Sequence, residues 1–104
     1  MALSPTQLTL RELKEQGYLA AVVEKWNPHA RIRQDLFGFI DVLAVKEGET
    51  LAIQATTDTN VPARVRKIAD HENVPGVRKA DWRIEVWGWK KVKNRWVKRV
   101  VDVS

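Results

Sequence analysis

The 104-residue chain contains no cysteine, which excludes disulfides and thiolate metal sites, so any metal ion must bind to oxygen or histidine ligands. Its two histidines, His29 and His71, are too few and too far apart in sequence to indicate a zinc site. No apolar run approaches the roughly 18 residues that cross a bilayer, and the N-terminus lacks the basic-then-apolar pattern of a signal peptide. These absences predict a cytoplasmic protein with no membrane partner.

The charge of the chain is unevenly distributed. Lysine and arginine total 18 against 13 acidic residues, a formal net charge of +5. Between Arg78 and Arg99 there are nine basic and two acidic residues, so this segment alone carries nine minus two, or +7. A concentrated positive charge favours a polyanionic partner such as nucleic acid. The length predicts a single domain over residues 1–104.

The residue pattern predicts an α/β fold with the element order α-β-β-β-α-β-β. A first helix begins at Ser4 and ends at Gly17, "YLAAVVEK" forms the first strand, and residues 27–33 form a loop. "DLFGFIDVLAV" and "TLAIQATT", separated by "KEGE", are predicted to be antiparallel neighbours with both faces covered by helices. A second helix starts at Asn60 and is broken by "NVPG", and a hairpin starting near Trp82 ends the chain. Together these elements form a mixed central sheet flanked by helices.

Asp41 is a carboxylate in the middle of an apolar strand. Such a group costs several kcal/mol unless it is paired, hydrogen-bonded or bound to a metal. On the next strand Gln54 and Thr56 share a face, and the predicted hairpin brings Gln54 beside Asp41. A carboxylate oxygen, an amide oxygen, a main-chain carbonyl and water would form a magnesium site. The alternative is a structural acid paired with Arg31 or Arg33.

An initial helix, a strand with an acid, a turn, a polar strand and a basic helix resemble the PD-(D/E)XK nuclease superfamily, particularly its Holliday-junction-resolvase-like branch. In "FIDVLAV", Asp41 occupies the place of the family's metal-binding Asp. In "AIQAT", Gln54 stands where Glu usually stands, as in the viral replication-repair branch, and Thr56 stands where the Lys belongs. The resemblance covers residues 4–72, and "RQDLFGFIDVLA" and "IQATT" are also similar to phage and prophage proteins of the superfamily.

The resemblance implies a restriction-endonuclease-like fold and a nuclease that uses Mg²⁺ or Mn²⁺ to hydrolyse nucleic acid, with branched or single-stranded DNA among the candidate substrates and the choice between DNA and RNA open. The family's first acid is replaced by Thr6 or Gln7. Glu24 and Asp35 are the candidates to supply the missing carboxylate, although Asp35 more often caps or pairs with Arg33.

Asp35 has a geometric requirement. In a straight strand it lies roughly 20 Å from Asp41, six residues later. The two acids share one metal ion only if Gly38 marks a bulge or bend, or if the strand begins later.

The family's Lys positions the attacking water and stabilises charge that develops on phosphorus. With Thr56 at that position, Lys67 or Arg64 on the following helix is the candidate replacement. The alternative for Lys67 is an ordinary solvated helix residue.

Nucleic-acid contacts are expected from the basic residues of the second helix and the final hairpin: Arg64, Lys90, Lys91, Lys93, Arg95, Lys98 and Arg99. A solvated hairpin is the alternative. For the tryptophans, Trp82 among them, the core is the favoured location over a base-stacking surface, and at most Trp87 and Trp89 lie on a mixed surface that a ligand could face.

Three function classes stay open: a metal-dependent endonuclease, a non-catalytic nucleic-acid-binding module of the same fold, and an interaction subunit that binds an acidic partner. The sequence leaves the oligomeric state open, a homodimer included.

Overall fold

The computed structural model describes residues 3–104 and has a compact α/β fold with a mixed central sheet. Its elements, in chain order, are α1 (Pro5–Glu15), β1 (Leu19–Val22), β2 (Lys25–Asn27), β3 (Ile32–Gln34), β4 (Val42–Lys46), β5 (Glu49–Thr57), a 3-10 turn (Asp58–Asn60), α2 (Val61–Ala69), α3 (Val74–Lys79), β6 (Arg83–Val92) and β7 (Arg95–Asp102).

The five-stranded sheet has the order β1-β4-β5-β6-β7, with β5 at its centre. Only β5 and β6 are parallel, and the other neighbours are antiparallel. The predicted pairing across "KEGE" and the predicted terminal hairpin are both confirmed. Strands β2 and β3 pair only with each other and form a separate two-stranded ribbon.

Helices cover both faces of the sheet, as predicted. Helix α1 begins with a capping box in which the Ser4 hydroxyl accepts from the Gln7 amide, and it buries Leu8 and Leu13 against β4, β5 and β6. The core on the opposite face joins residues of α2, α3 and the sheet: Phe39, Ile40, Ala52, Val61, Ile68, Val74, Val77, Ile84 and Val86. The longest helix of the described residues, α1 with 11 residues, falls short of a membrane crossing.

The observed element order contains two strands and one helix more than the sequence predicts. The predicted first strand divides into β1 and β2, and the predicted loop over 27–33 contains the start of β3 at Ile32. Helix α3 forms at "NVPG", where the sequence predicts only a break. The reason is that Pro75 occupies the first turn of α3, where its fixed φ favours a new helix and its missing N–H is not needed.

The predicted strand "DLFGFIDVLAV" becomes a strand only at Val42. Before that point, Leu36 and Ile40 exchange two backbone hydrogen bonds of 2.9 and 3.0 Å, which closes a tight turn. Phe37 (φ 55°) and Gly38 (φ 88°) both adopt the left-handed conformation inside it. A bend at Gly38 and a later strand start are therefore both present, and the chain reverses between Asp35 and the strand.

Trp87 and Trp89 lie in the core, as favoured, and not on a surface that faces a ligand. They are 3% and 6% exposed under α1. The Trp89 indole N–H donates to the Thr9 hydroxyl, and that of Trp87 donates to the Glu85 carboxylate, both at 2.9 Å. Their polar atoms are thus satisfied inside the protein, which is the usual arrangement for a buried Trp.

We predict that Gly38→Ala destabilises the protein more than Gly48→Ala. Both glycines have positive φ, 88° and 72°, so an alanine costs about 1–2 kcal/mol at either position. At Gly38 the added Cβ would also lie 2.5 Å from Nε2 of His71, whereas at Gly48 it would meet nothing within 4 Å. Urea unfolding should show an additional loss of about 1 kcal/mol or more for Gly38→Ala. Equal losses would contradict the close packing of this turn.

Candidate metal centre

Asp41 is 4% exposed and stands immediately before β4. Its backbone N–H donates to the Ile53 carbonyl at 2.9 Å, which continues the pairing of β4 with β5. Its Oδ2 accepts two hydrogen bonds, from Gln54 Nε2 at 2.7 Å and from the Ala55 backbone N–H at 2.9 Å. The predicted adjacency of the two strands and the convergence of Asp41 with Gln54 are confirmed.

Three carboxylates converge at this point. Glu24, Asp35 and Asp41 each offer an oxygen, and these oxygens all lie within 4.8 Å of one another. Glu24 follows β1, and the neighbouring Val23 amide donates to the Asp41 carbonyl at 2.8 Å, which holds this segment beside Asp41. Asp35 is brought in by the turn at Gly38. We call Glu24, Asp35 and Asp41 the acidic triad.

Asp41 binds a proton unusually tightly. Burial raises its pKa to about 8, and a hydrogen bond to Asp35 together with the negative charges of Asp35 and Glu24 acts in the same direction. The hydrogen bond from Ala55 opposes this rise. The triad as a whole therefore tends to retain a proton near neutral pH, because a third negative charge in this setting is too costly.

Gln54 supplies an independent indication of a ligand. The side chain is 3% exposed, and its Oε1 accepts no hydrogen bond from the described residues. A buried acceptor without a partner costs about 1–3 kcal/mol. Carboxylate and amide oxygens are the donors that Mg²⁺ and Mn²⁺ prefer. The triad and this amide oxygen therefore fit a hard divalent cation.

Two basic side chains, Lys67 and Arg33, border the triad. Lys67 on α2 places its Nζ 3.6 Å from Asp35 Oδ2, and Arg64 lies one turn earlier on that helix, partly buried. Arg33 Nη1 lies 3.5 Å from Glu24 Oε1. Among residues 3–104, neither Asp41 nor Asp35 forms an ion pair with Arg31 or Arg33, which were the alternative partners.

A cleft of about 380 Å³ adjoins the triad at Glu24. Thr6 and Gln7, which stand where the family's first acid is expected, line this cleft together with Glu24. Glu24 is the member of the triad that lines this cleft. Ser4, Val22 and Arg33 complete the lining.

The basic residues of the β6–β7 hairpin lie on the opposite side of β5 from β4, the strand that follows Asp41. Of the six hairpin cations predicted to contact nucleic acid, two form ion pairs within the protein. Lys98 pairs with Glu12 and lies 4.1 Å from the ring centroid of Trp87, and Arg99 Nε is 3.2 Å from Asp58 Oδ1. The others are exposed: Lys90, Lys91, Lys93 and Arg95.

The β2–β3 ribbon was not predicted. Asn27 closes its turn by accepting from the backbone amides of His29 (3.0 Å) and Ala30 (3.2 Å). This turn is visible in the sequence as "NPHA", since Asn before Pro favours turns. Its strands have only three residues each, which is too short for a periodic pattern to be recognised.

Comparison of the chain with protein-family models, with curated proteins and with solved structures finds no match. The candidate site accordingly stands on its geometry.

We predict that Asp41→Asn makes folding more stable near neutral pH. Between the ordinary carboxyl pKa of 3.8 and the folded value of about 8, the folded state binds one proton more than the unfolded state. Its stability therefore falls as pH rises through this window and is greatest below it. Asparagine mimics the protonated acid: its oxygen accepts from Gln54 and Ala55, and its amide donates to Asp35.

Thermal and urea unfolding are measured between pH 4 and 9. Near pH 7 the free energy of unfolding of Asp41→Asn should exceed that of wild type by at least about 1 kcal/mol, since one pKa unit equals about 1.4 kcal/mol. The advantage should shrink towards pH 4. Asp70→Asn, at an exposed carboxylate after α2, is the matched control and should leave the pH profile unchanged. Parallel profiles for Asp41→Asn and wild type would contradict the raised pKa.

Proposed function

We propose that the chain is a nucleic-acid-binding phosphodiesterase, a divalent-metal-dependent endonuclease of the PD-(D/E)XK type with a restriction-endonuclease-like fold. One observation carries the proposal: three carboxylates within 4.8 Å of one another stand beside a buried amide oxygen that has no hydrogen-bond donor among the described residues. The substrate is DNA, with branched and single-stranded forms as the leading candidates.

The order of the elements around the triad supports this proposal. Helix α1 is followed by antiparallel strands that carry Asp41 and Gln54 on adjacent positions. Helix α2 then brings Lys67 to the triad before the chain enters β6, parallel to β5. This is the helix, acid strand, polar strand and basic helix on which the family resemblance rests.

Mg²⁺ or Mn²⁺ would be held by Asp41, Asp35, Glu24 and Gln54. The ion would lower the pKa of a water and neutralise charge on the phosphate. The protein determines how cation affinity depends on pH. Asp41 releases its proton when a cation binds, so cation affinity should rise with pH up to about 8. Gln54 and the Ala55 amide keep the Asp41 carboxylate in one orientation.

Lys67 takes the role of the missing family Lys in this proposal. Thr56, at the family position, is 5% exposed and uncharged. The Lys67 ammonium lies at the edge of the triad, 3.6 Å from Asp35, and is still accessible to solvent. It has hydrogens left to donate to a phosphate oxygen, and its positive charge stabilises the additional negative charge of the transition state.

Phosphates beyond the cleavage point are bound by Arg64 and by the exposed cations of the β6–β7 hairpin. Lys98 and Arg99 contribute less than the sequence suggests, because ion pairs with Glu12 and Asp58 already engage them. These contacts position the nucleic acid and carry no sequence information.

A non-catalytic nucleic-acid-binding module is the second candidate function. Thr56 favours it, because β5 offers no cation at the position where the family has its catalytic Lys. Such a module would keep salt-sensitive DNA binding after Asp41 is replaced.

We predict that wild-type protein cleaves single-stranded or four-way-junction DNA with Mg²⁺ or Mn²⁺ and not with EDTA, and that Asp41→Asn abolishes cleavage. Nucleic-acid affinity should stay within a few-fold, since the loss falls on the metal site rather than on the phosphate contacts. Gln54→Ala should have a milder effect, and Asp70→Asn should cleave as wild type does. Cleavage by purified Asp41→Asn at the wild-type rate would remove Asp41 from the mechanism.

We predict that Lys67→Met lowers kcat by about 100-fold with little change in KM, the size expected when one charge-stabilising donor is lost. Lys79→Met, which removes an exposed cation from α3, is the matched control and should cleave normally. Single-turnover cleavage at saturating and limiting substrate separates kcat from KM. A pure KM effect would make Lys67 a binding residue instead.

A further inference from the structure

The ribbon made by β2 and β3 is tied to the acidic triad at both ends. Glu24 immediately precedes β2, and Asp35 immediately follows β3. The ribbon hydrogen-bonds to no other strand. An isolated two-stranded hairpin is only marginally stable in water. Within the described residues, the ribbon is further stabilised by the Asn27 turn, by a 3.4 Å hydrogen bond from Asn27 Nδ2 to Gln34 Oε1 and by the Arg33–Glu24 ion pair.

This ribbon exposes large apolar side chains. Trp26 is 53% exposed and Ile32 is 51% exposed. A Trp side chain that packs fully removes 150–250 Å² from water, so leaving one half-exposed on a projecting ribbon forgoes a large hydrophobic gain. Tryptophan in such a position is typical of binding surfaces.

The charge of the ribbon identifies the kind of partner. Between Glu24 and Asp35 the chain carries the cations Lys25, Arg31 and Arg33 and no acid. Lys25 and Arg31 form no ion pair within the described residues, and both are exposed. Cations beside an exposed aromatic ring favour a polyanion that also has flat apolar groups, which is the chemistry of an unpaired nucleic-acid strand.

A hollow of about 300 Å³ on the ribbon matches a nucleotide of such a strand. It is lined by Lys25, Trp26, Asn27, Pro28, His29 and Gln34. The Trp26 and His29 rings provide surfaces on which a base can stack. Gln34 Nε2 makes no hydrogen bond within the described residues, so it is available to a base edge, while the Lys25 ammonium is available to a phosphate.

We propose that the ribbon is a binding platform for single-stranded nucleic acid, with one base stacked on Trp26 and the neighbouring phosphates on Lys25 and Arg31. The inference rests on the proposed function for the identity of the partner. Two residues span at most about 7 Å of chain, so Trp26 and Glu24 contact neighbouring parts of the same strand. The platform therefore delivers an unpaired strand to the acidic triad.

Binding without cleavage tests the platform. Fluorescence polarisation with a labelled single strand and a duplex of equal length is measured in EDTA for wild type, Trp26→Ala and Trp26→Phe. Trp26→Ala should weaken single-strand binding about tenfold, Trp26→Phe should retain most of it, and duplex binding should change far less. Circular dichroism and thermal unfolding establish that each variant is folded.

A second pair of variants tests the phosphate contacts. Lys25→Gln with Arg31→Asn should reduce the salt slope of single-strand binding by about 1.4, since each contacted phosphate contributes about 0.7. Asn is chosen for Arg31 because that residue has φ 55°, which Asn tolerates. Arg11→Gln with Lys14→Gln removes two exposed cations from α1 and is the matched control with unchanged salt slope.

The outcomes separate this inference from the nuclease proposal. Single-strand affinity that is unchanged in Trp26→Ala overturns the platform. A competition experiment gives a second test: if polyglutamate, a polyanion without bases, displaces the labelled strand as well as an unlabelled single strand does, the platform is also overturned. Metal-dependent cleavage that needs Asp41 would still stand in either case. Conversely, a Trp26-dependent single-strand affinity with no cleavage under any metal condition supports the platform and overturns the nuclease.

Discussion

The site depends on two hydrogen bonds that meet at one atom, Oδ2 of Asp41. The Ala55 backbone and the Gln54 amide donate these bonds, and both donors belong to β5, the central strand. Their positions follow from the register in which Val42 faces Ile53. A shift of one residue would turn Gln54 to the opposite face of the sheet and remove one of the two donors. The orientation of Asp41 is therefore a property of the sheet itself.

The site conflicts with the stability of the fold at two points. A buried carboxyl whose pKa is raised to about 8 works against folding at neutral pH, and the partnerless Gln54 Oε1 has a similar cost. Packing of helices on both faces of the sheet offsets these free-energy costs, but among the described residues it supplies no partner to Asp41 or to Gln54 Oε1. Perturbed acids and unpartnered polar groups in one place are typical of functional sites. A single bound cation would remove both penalties, because its positive charge neutralises the acids and the amide oxygen coordinates it.

Asp41 and Gln54 were predictable because strand alternation is a local property: a polar residue within an apolar run is visible in the sequence. Asp35 became a member of the triad through two successive left-handed residues, one of them Phe37, a residue type for which this conformation is rare. No sequence pattern indicates that bend beyond Gly38. Strand alternation alone left the alternative of a ligand-facing surface open for Trp87 and Trp89, because their indole partners, Glu85 and Thr9, are visible only in the folded chain, one of them 80 positions away. The ion pairs of Lys98 with Glu12 and of Arg99 with Asp58 could not be predicted either, because these partners are distant in sequence.

The two basic surfaces of the molecule differ in how they connect to the triad. The β6–β7 hairpin lies on the opposite side of β5 from β4 and contributes no acid to the triad. Its cations therefore attract a polyanion without altering the positions of the acids. The β2–β3 ribbon has Glu24 and Asp35 as its own flanking residues. A ligand that orders the ribbon also restricts these two carboxylates, and the linkage is reciprocal: a cation that draws the carboxylates together favours the ribbon conformation that the ligand binds. Under the proposed function, acids at the base of a weakly stabilised ribbon would thus couple nucleic-acid binding to assembly of the metal site.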